Sequence, residues 1–282
     1  MVYRYSKSEC ISSSLTAGGA SIWYNQTMIS ALILGIVQGL TEFIPVSSTA
    51  HLILFPWFFN WSGQVDTLTF DIALHAGTLF ALVLCFWRDW IDLALRKQRV
   101  LGLIVFATVP AGLAGYFLND IAEHNLRSPL LISIMLVVVG VIMLISEKVF
   151  KYRKVEETGL KDAVIIGIAQ ALAIIPGVSR SGITISAGLF RGFEREAAAR
   201  FSFLLATPII AGATLLHLKK ALNGHMHYDL EIFSIGIISS FITGFIAIKF
   251  LLRFLKRYPL NLFVYYRFAL SAIIITGIWL KG

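Results

Sequence analysis

The stretch GIVQGLTEFIPVSSTAH, residues 35–51, decides the fold of this chain, because GIAQALAIIPGVSRSG at residues 167–182 repeats its pattern. Each stretch is an apolar helical run that is broken by a proline and followed by small hydroxyl residues. Together they place Glu42, His51 and Arg180 inside otherwise apolar sequence. Ionisable groups are costly in such surroundings, so we interpret these residues as functional.

The composition excludes a water-soluble globule. Of the 282 residues, 57% are hydrophobic and only 14% are charged, and the mean hydropathy is +0.78. Several apolar stretches approach the roughly 20 residues that cross a bilayer, so the chain is a multi-pass membrane protein. The net charge of +8 does not indicate nucleic-acid binding, because the basic residues lie in separate loops and not along one stripe.

The N-terminal segment differs from the rest of the chain. Residues 1–27 are polar, rich in Ser and Gly, and lack the apolar core of a signal peptide. We expect this extension to be disordered, with the first helix beginning at Met28. Cys10 and Cys85 form no disulfide framework or metal-binding spacing, so redox chemistry is not indicated.

Ten apolar segments follow, and two of them are too short to span a membrane. The short segments are the second and the seventh, and each is joined to its predecessor by a turn that contains proline, which predicts two re-entrant hairpins and six full spans. The segments are 28–44, 47–59, 67–87, 100–118, 129–146, 161–175, 181–190, 197–217, 231–252 and 261–280.

Loop charges predict the orientation of the helices. Loops 88–99 and 147–161 are rich in Lys and Arg and are therefore expected on the cytoplasmic side. The first hairpin then enters from outside and the second from the cytoplasm, with both termini outside. Each half, 28–146 and 147–282, contains one hairpin and three crossings, which predicts an all-α fold with an inverted repeat.

The register of the two halves agrees with a repeat. Gln38 matches Gln170 in the same register that matches Ser47 to Ser179, with a one-residue slip at the prolines. Hairpins that enter from opposite faces meet near the midplane, which is where inverted-repeat proteins place their sites.

The residues of the two turns suit a phosphate ester. Gln38 and Glu42 are spaced i, i+4 and lie on one helix face, whereas Arg180 can hold phosphate oxygens in a bidentate fork at a helix N-terminus. Glu42 is a candidate base or metal ligand, and Ser48 or His51 a candidate nucleophile or proton carrier. The candidate phosphate-binding residues are Ser47, Ser179, Arg180, Ser181 and Thr184.

Structural roles are alternatives for several of these residues. Glu42 and Arg180 can form a buried ion pair that only fastens the hairpins, the serines can be helix caps, and His51 can be a hydrogen-bonded core residue. For Asp71 and His75, spaced i, i+4, a structural hydrogen bond and a site contact are equally open. The histidines after the eighth segment are interpreted as solvated loop residues: His217, His225 and His227.

The motifs at residues 38–51 and 176–184 resemble the two signature motifs of bacterial undecaprenyl-diphosphate phosphatases, the bacitracin-resistance family. The resemblance covers essentially everything from Met28 onward. It implies an inner-membrane enzyme that converts undecaprenyl diphosphate to undecaprenyl phosphate, the lipid carrier for peptidoglycan synthesis. It places the catalytic residues at Glu42, Ser48, His51 and Arg180.

The resemblance also implies a divalent cation, Mg²⁺ or Ca²⁺, at Glu42 and Gln38. Many relatives have Glu where this chain has Gln38, so Glu42 is the only acid in the motif. Ser48 or His51 as a covalent nucleophile and a water molecule as direct nucleophile all stay open. A lipid flippase that uses the same anion site is the alternative function, and pairing into a homodimer is a further open question.

Overall fold

A computed structural model describes the backbone of residues 17–223 and 229–281, and the side chains of residues 26–118, 121, 125–216 and 229–280. The described part is all-α, as predicted, and its elements follow the ten apolar segments. Within these residues there are ten α-helices: α1 Ala17–Phe43, α2 Ser48–Phe59, α3 Leu68–Leu95, α4 Gln98–Asn125, α5 Pro129–Ser146, α6 Leu160–Leu172, α7 Arg180–Phe190, α8 Arg195–Asn223, α9 Leu230–Leu255 and α10 Asn261–Lys281.

Helix α1 begins earlier than the sequence predicts. Residues 17–27 are helical, which corrects the expectation that the whole extension is disordered; residues 1–16 lie outside the described part. The predicted loop 88–99 is also mostly helical, because α3 continues to Leu95 and α4 begins at Gln98. Apolar periodicity ends where charged residues begin, but the helices continue into that polar sequence.

Among the described residues, seven helices are long and apolar enough to cross a membrane. Six of them are the predicted spans, and the seventh is α1, whose stretch Gln26–Phe43 meets the same criteria. Length and composition alone therefore make α1 a further candidate span beside the six expected ones. Helices α2 and α7 have 12 and 11 residues and are too short to cross.

The turn that joins α1 to α2 contacts the turn that joins α6 to α7. We use first turn for the first connection together with the adjoining helix ends, residues 42–51, and second turn for the corresponding stretch, residues 173–184. The guanidinium of Arg267 on α10 donates hydrogen bonds to carbonyl oxygens of both turns and to those of Met135 and Leu136. Since Leu136 lies near the middle of α5, the two turns meet at mid-height of the helix bundle.

The two hairpins pack in related ways. Helix α1 packs against α9, and α6 packs against α4. Gly35 allows the first contact, because a Cβ atom there would lie 1.8 Å from Ser239 Oγ. Gly167, the matching glycine of the second motif, allows the other, with Ala107 O at 2.6 Å. The first helix of each half therefore packs closely on a helix of the other half.

The buried Glu147 carboxylate fixes the ends of three helices. Glu147 follows α5, receives hydrogen bonds of 2.7–3.0 Å from the guanidinium of Arg195 on α8, and accepts one from the Leu260 N–H before α10. Burial opposes ionisation, but these hydrogen bonds outweigh it and lower the pKa of Glu147. The network positions α8 and α10, which both contribute to the site.

Candidate active site

The two turns share an unusual backbone. Ser47 and Ser179 have positive φ angles of 78° and 69°, a region that residues with a Cβ atom rarely occupy. Each side chain caps the helix that follows, accepting from Ala50 N at 3.4 Å and from Gly182 N at 3.2 Å. Backbone strain of this kind collects at functional sites, and here it aims two helix N-termini at the junction of the turns.

The Glu42 carboxylate, which is 5% exposed, lies at the centre of the site. Its Oε1 pairs with the guanidinium of Arg180 from the second turn. Its Oε2 accepts hydrogen bonds from Ser48 Oγ at 2.5 Å and Gln38 Nε2 at 3.1 Å, and His75 Nε2 lies 3.5 Å from the same oxygen. One carboxylate therefore joins both predicted turns, and the buried ion pair is formed.

His51 lies apart from this cluster. Its Nδ1 bonds the Ser47 carbonyl at 2.7 Å, and its Nε2 bonds the Tyr266 hydroxyl at 2.8 Å. The Ser48 hydroxyl donates to Glu42 and not to His51. With both ring nitrogens engaged, His51 joins α2 to α10.

Three candidate phosphate-binding residues of the second turn are engaged elsewhere. The Ser179 hydroxyl lies 3.3 Å from that of Ser181, which reaches the Ile44 carbonyl at 3.5 Å. Thr184 donates to the Arg180 carbonyl at 2.7 Å and lies 2.6 Å from Ser202 Oγ. These side chains tie α7 to the first turn and to α8, whereas Arg180 reaches Glu42.

Arg267 is a buried residue between the two turns that the sequence does not predict as part of the site. It is fully buried, and its guanidinium contacts five carbonyl oxygens, with Gly177 O the nearest at 2.8 Å. Among the described residues it has no acidic partner within salt-bridge distance, so its charge adds to the positive potential between the turns. A charge inside the last apolar segment is the signal that marks it.

For His75, the sequence leaves a structural hydrogen bond and a site contact equally open. The structure makes it a site residue. Its contact with Glu42 joins α3 to the site, whereas Asp71 pairs with Arg127 at 3.3 Å. The Tyr266 contact of His51 was not foreseen. The histidine side chains that we interpret as loop residues, His217, His225 and His227, lie outside the described side chains.

A divalent cation would depend on an unusual ligand set. Within the described part of the chain, no three His, Cys, Asp or Glu side chains gather around a common point. Gln38 Oε1, however, is buried without a hydrogen-bond partner among the described residues. A buried amide oxygen beside the Glu42 carboxylate suits a hard cation that takes its remaining ligands from phosphate and water, so the residues fit such an ion.

Comparison with known proteins adds to this geometry. The family described as Bacitracin resistance protein BacA matches residues 31–273, a range that contains both turns and Arg267. The chain belongs to the BacA family. Its similarity to curated members extends over nearly their whole length. The undecaprenyl-diphosphatase of Thermodesulfovibrio yellowstonii is 56% identical to this chain. The matched region covers 88% of this chain and 96% of the relative.

Two further relatives are similar to this chain over almost their whole length. The undecaprenyl-diphosphatase of Moorella thermoacetica is 48% identical, over 90% of this chain and 99% of the relative. The undecaprenyl-diphosphatase of Desulforudis audaxviator is 45% identical, over 89% of this chain and 98% of the relative. The family resemblance of the two motifs is therefore confirmed.

Proposed function

We propose that this BacA-family protein is a membrane phosphatase that hydrolyses undecaprenyl diphosphate to undecaprenyl phosphate and inorganic phosphate, and so recycles the lipid carrier for cell-wall synthesis. The observation that carries the proposal is the contact of Ser48 and Arg180 with the two oxygens of the Glu42 carboxylate. A hydroxyl on a base, next to a guanidinium, is the arrangement that phosphoryl transfer to an enzyme nucleophile requires.

Ser48 is the nucleophile in this mechanism. The terminal phosphate of the lipid lies between Ser48 and Arg180, where the guanidinium and the N-termini of α2 and α7 stabilise its oxygens. Glu42 takes the Ser48 proton as Ser48 Oγ bonds to the terminal phosphorus. The bond from that phosphorus to the bridging oxygen breaks, and lipid monophosphate leaves with the bond's electrons.

Water completes the reaction. Glu42 passes the first proton to solvent and then accepts one from a water molecule, whose oxygen bonds to the phosphorus of the phosphoserine. The bond from that phosphorus to Ser48 Oγ breaks, Glu42 returns the proton to Oγ, and inorganic phosphate leaves. His51 has no step in this scheme, because both of its ring nitrogens hold structural hydrogen bonds.

A divalent cation, Mg²⁺ or Ca²⁺, belongs to the proposal. Glu42 and the buried Oε1 of Gln38 would hold it, and when bound it neutralises charge on the phosphate oxygens. Gln38 also donates to Glu42, so its amide keeps the carboxylate orientation fixed.

The proposed setting is the bacterial inner membrane, with both termini outside and the two halves in opposite orientations. The meeting of the two turns at mid-height and the matched packing of α1 and α6 support an inverted repeat. A cysteine-accessibility scan tests this: a cysteine at residue 97 should react only from the cytoplasmic side, and labelling from outside would overturn the topology.

A homodimer is compatible with the outer face of α4. A Cβ atom at Gly112 or Gly115 would have nothing within 4 Å among the described atoms, whereas Gly236 and Gly244 pack within the chain. Cross-linking between cysteines at residues 112 and 115 tests whether two copies pair there.

A flippase is not favoured. Moving an intact lipid requires an anion site, but it gives no role to a serine hydroxyl held on a carboxylate.

Phosphate release by the purified full-length protein tests the function. In nanodiscs, the wild type should convert undecaprenyl diphosphate to monophosphate and one equivalent of phosphate, and Glu42→Gln should be slower by roughly 10²–10⁴-fold. Lys148→Gln, at a charged position outside the site, is the control. Equal rates for wild type and Glu42→Gln, or translocation without hydrolysis, would overturn the proposal.

A further inference from the structure

The imidazole of His75 has a fixed hydrogen-bonding pattern. Its Nδ1 lies 2.7 Å from the carbonyl oxygen of Asp71. A carbonyl only accepts, so Nδ1 carries the hydrogen. In the neutral ring, the lone pair of Nε2 is then directed away from α3, towards Glu42 Oε2 at 3.5 Å.

Two electron-pair donors face each other at this point, and the amide of Gln38 lies beside them. A neutral imidazole nitrogen and a carboxylate oxygen repel each other unless a proton or a cation lies between them. Gln38 contacts the same carboxylate oxygen through its Nε2, at 3.1 Å. Its Oε1, in the same amide group, is buried without a hydrogen-bond partner among the described residues.

We propose that His75 is the nitrogen ligand of a divalent cation, which it binds together with Glu42 Oε2 and Gln38 Oε1. This rests on the proposed function, whose phosphate oxygens and water would complete the coordination. The backbone carbonyl of Asp71 orients the imidazole, as outer-shell acceptors do for metal-bound histidine.

The nitrogen ligand has a consequence for metal preference. Ca²⁺ takes oxygen ligands almost exclusively, whereas first-row transition ions accept imidazole nitrogen. A site built from one carboxylate, one amide and one imidazole should therefore bind Mn²⁺ more tightly than Ca²⁺.

Pulsed electron paramagnetic resonance on the full-length protein with Mn²⁺ alone tests the ligand directly. The wild type should show ¹⁴N modulation from a bound imidazole, and His75→Gln should lose it and bind Mn²⁺ at least roughly tenfold more weakly. The affinity for Ca²⁺ should change less. His51→Gln is the matched control, because His51 has the same contact to a carbonyl four residues earlier but faces Tyr266; it should keep the modulation.

Wild-type Mn²⁺ spectra without nitrogen modulation would overturn the proposal even if His75→Gln fails to fold. Equal Mn²⁺ affinity of folded wild type and His75→Gln would also overturn it, and would make His75 a protonated partner of Glu42. Phosphate release is measured separately. Nitrogen-bound Mn²⁺ in a protein that releases no phosphate would keep the metal site and refute the phosphatase.

Discussion

The first and second turns share one backbone design but carry different side chains. Each contains a serine with positive φ that caps a short helix, Ser47 in one and Ser179 in the other. The residue after that serine is Ser48 in the first turn and Arg180 in the second. The position of Glu42 in the first motif is occupied by Ile174 in the second.

The difference shows how two turns of similar backbone can divide one task. In the proposed mechanism, the first turn supplies the acid and the hydroxyl, and the second supplies the positive charge that holds the phosphate. Their side chains meet on the Glu42 carboxylate, so a symmetric backbone supports an asymmetric site. Arg267 contacts both turns and fixes their relative position.

Ser48→Ala is the change with the largest expected effect. It removes the proposed nucleophile, so single-turnover phosphate release should fall at least about 10³-fold. Ser47→Ala and Ser179→Ala are matched controls, because each removes a cap worth about 1 kcal/mol and should slow the reaction far less. If Ser48→Ala were no slower than these two, the first turn would not supply the nucleophile.

Arg180→Lys tests the contribution of the second turn. Lysine keeps the charge but loses the planar fork, so kcat should fall about 10²-fold. Arg191→Lys, at the other end of α7 and paired with Asp162, should stay near the wild-type rate. Equal rates for Arg180→Lys and Arg191→Lys would mean that the guanidinium does not act on the phosphate.

Arg267→Met should affect both turns at once. Several buried carbonyl oxygens lose their donor, which should destabilise the protein by roughly 2–4 kcal/mol. The displaced turns should also lower kcat about tenfold. Thermal unfolding in detergent and phosphate release measure the two effects, with the exposed Arg253→Met as control. An unchanged melting temperature would show that the hydrogen bonds from Arg267 to the two turns do not stabilise the protein.

His51→Gln should have the smallest effect, a loss of less than about tenfold in kcat, because the imidazole joins α2 to α10 and has no step in the proposed mechanism. Tyr266→Phe, which removes the other half of that hydrogen bond, should behave similarly. A loss of about 10³-fold for His51→Gln alone would restore this histidine as a base or nucleophile.

Local sequence predicted the helices and the two turns well, because apolar length and proline are local signals. Glu42 and Arg180 could also be predicted as site residues from the sequence, since charges in apolar sequence are rare. The contacts of Arg267 and Tyr266 were not, because their partners lie far along the chain and depend on how α10 packs. The pairing of Ser48 with Glu42 instead of His51 depends on side-chain rotamers at a strained turn, which spacing does not specify.

The most direct test of a site shared by both turns is a double-mutant cycle of Glu42→Gln and Arg180→Lys in single-turnover phosphate release. If the two side chains act together, the double variant should be only a few-fold slower than the slower single variant. If the two effects instead multiply fully, each turn acts independently and the shared site is contradicted.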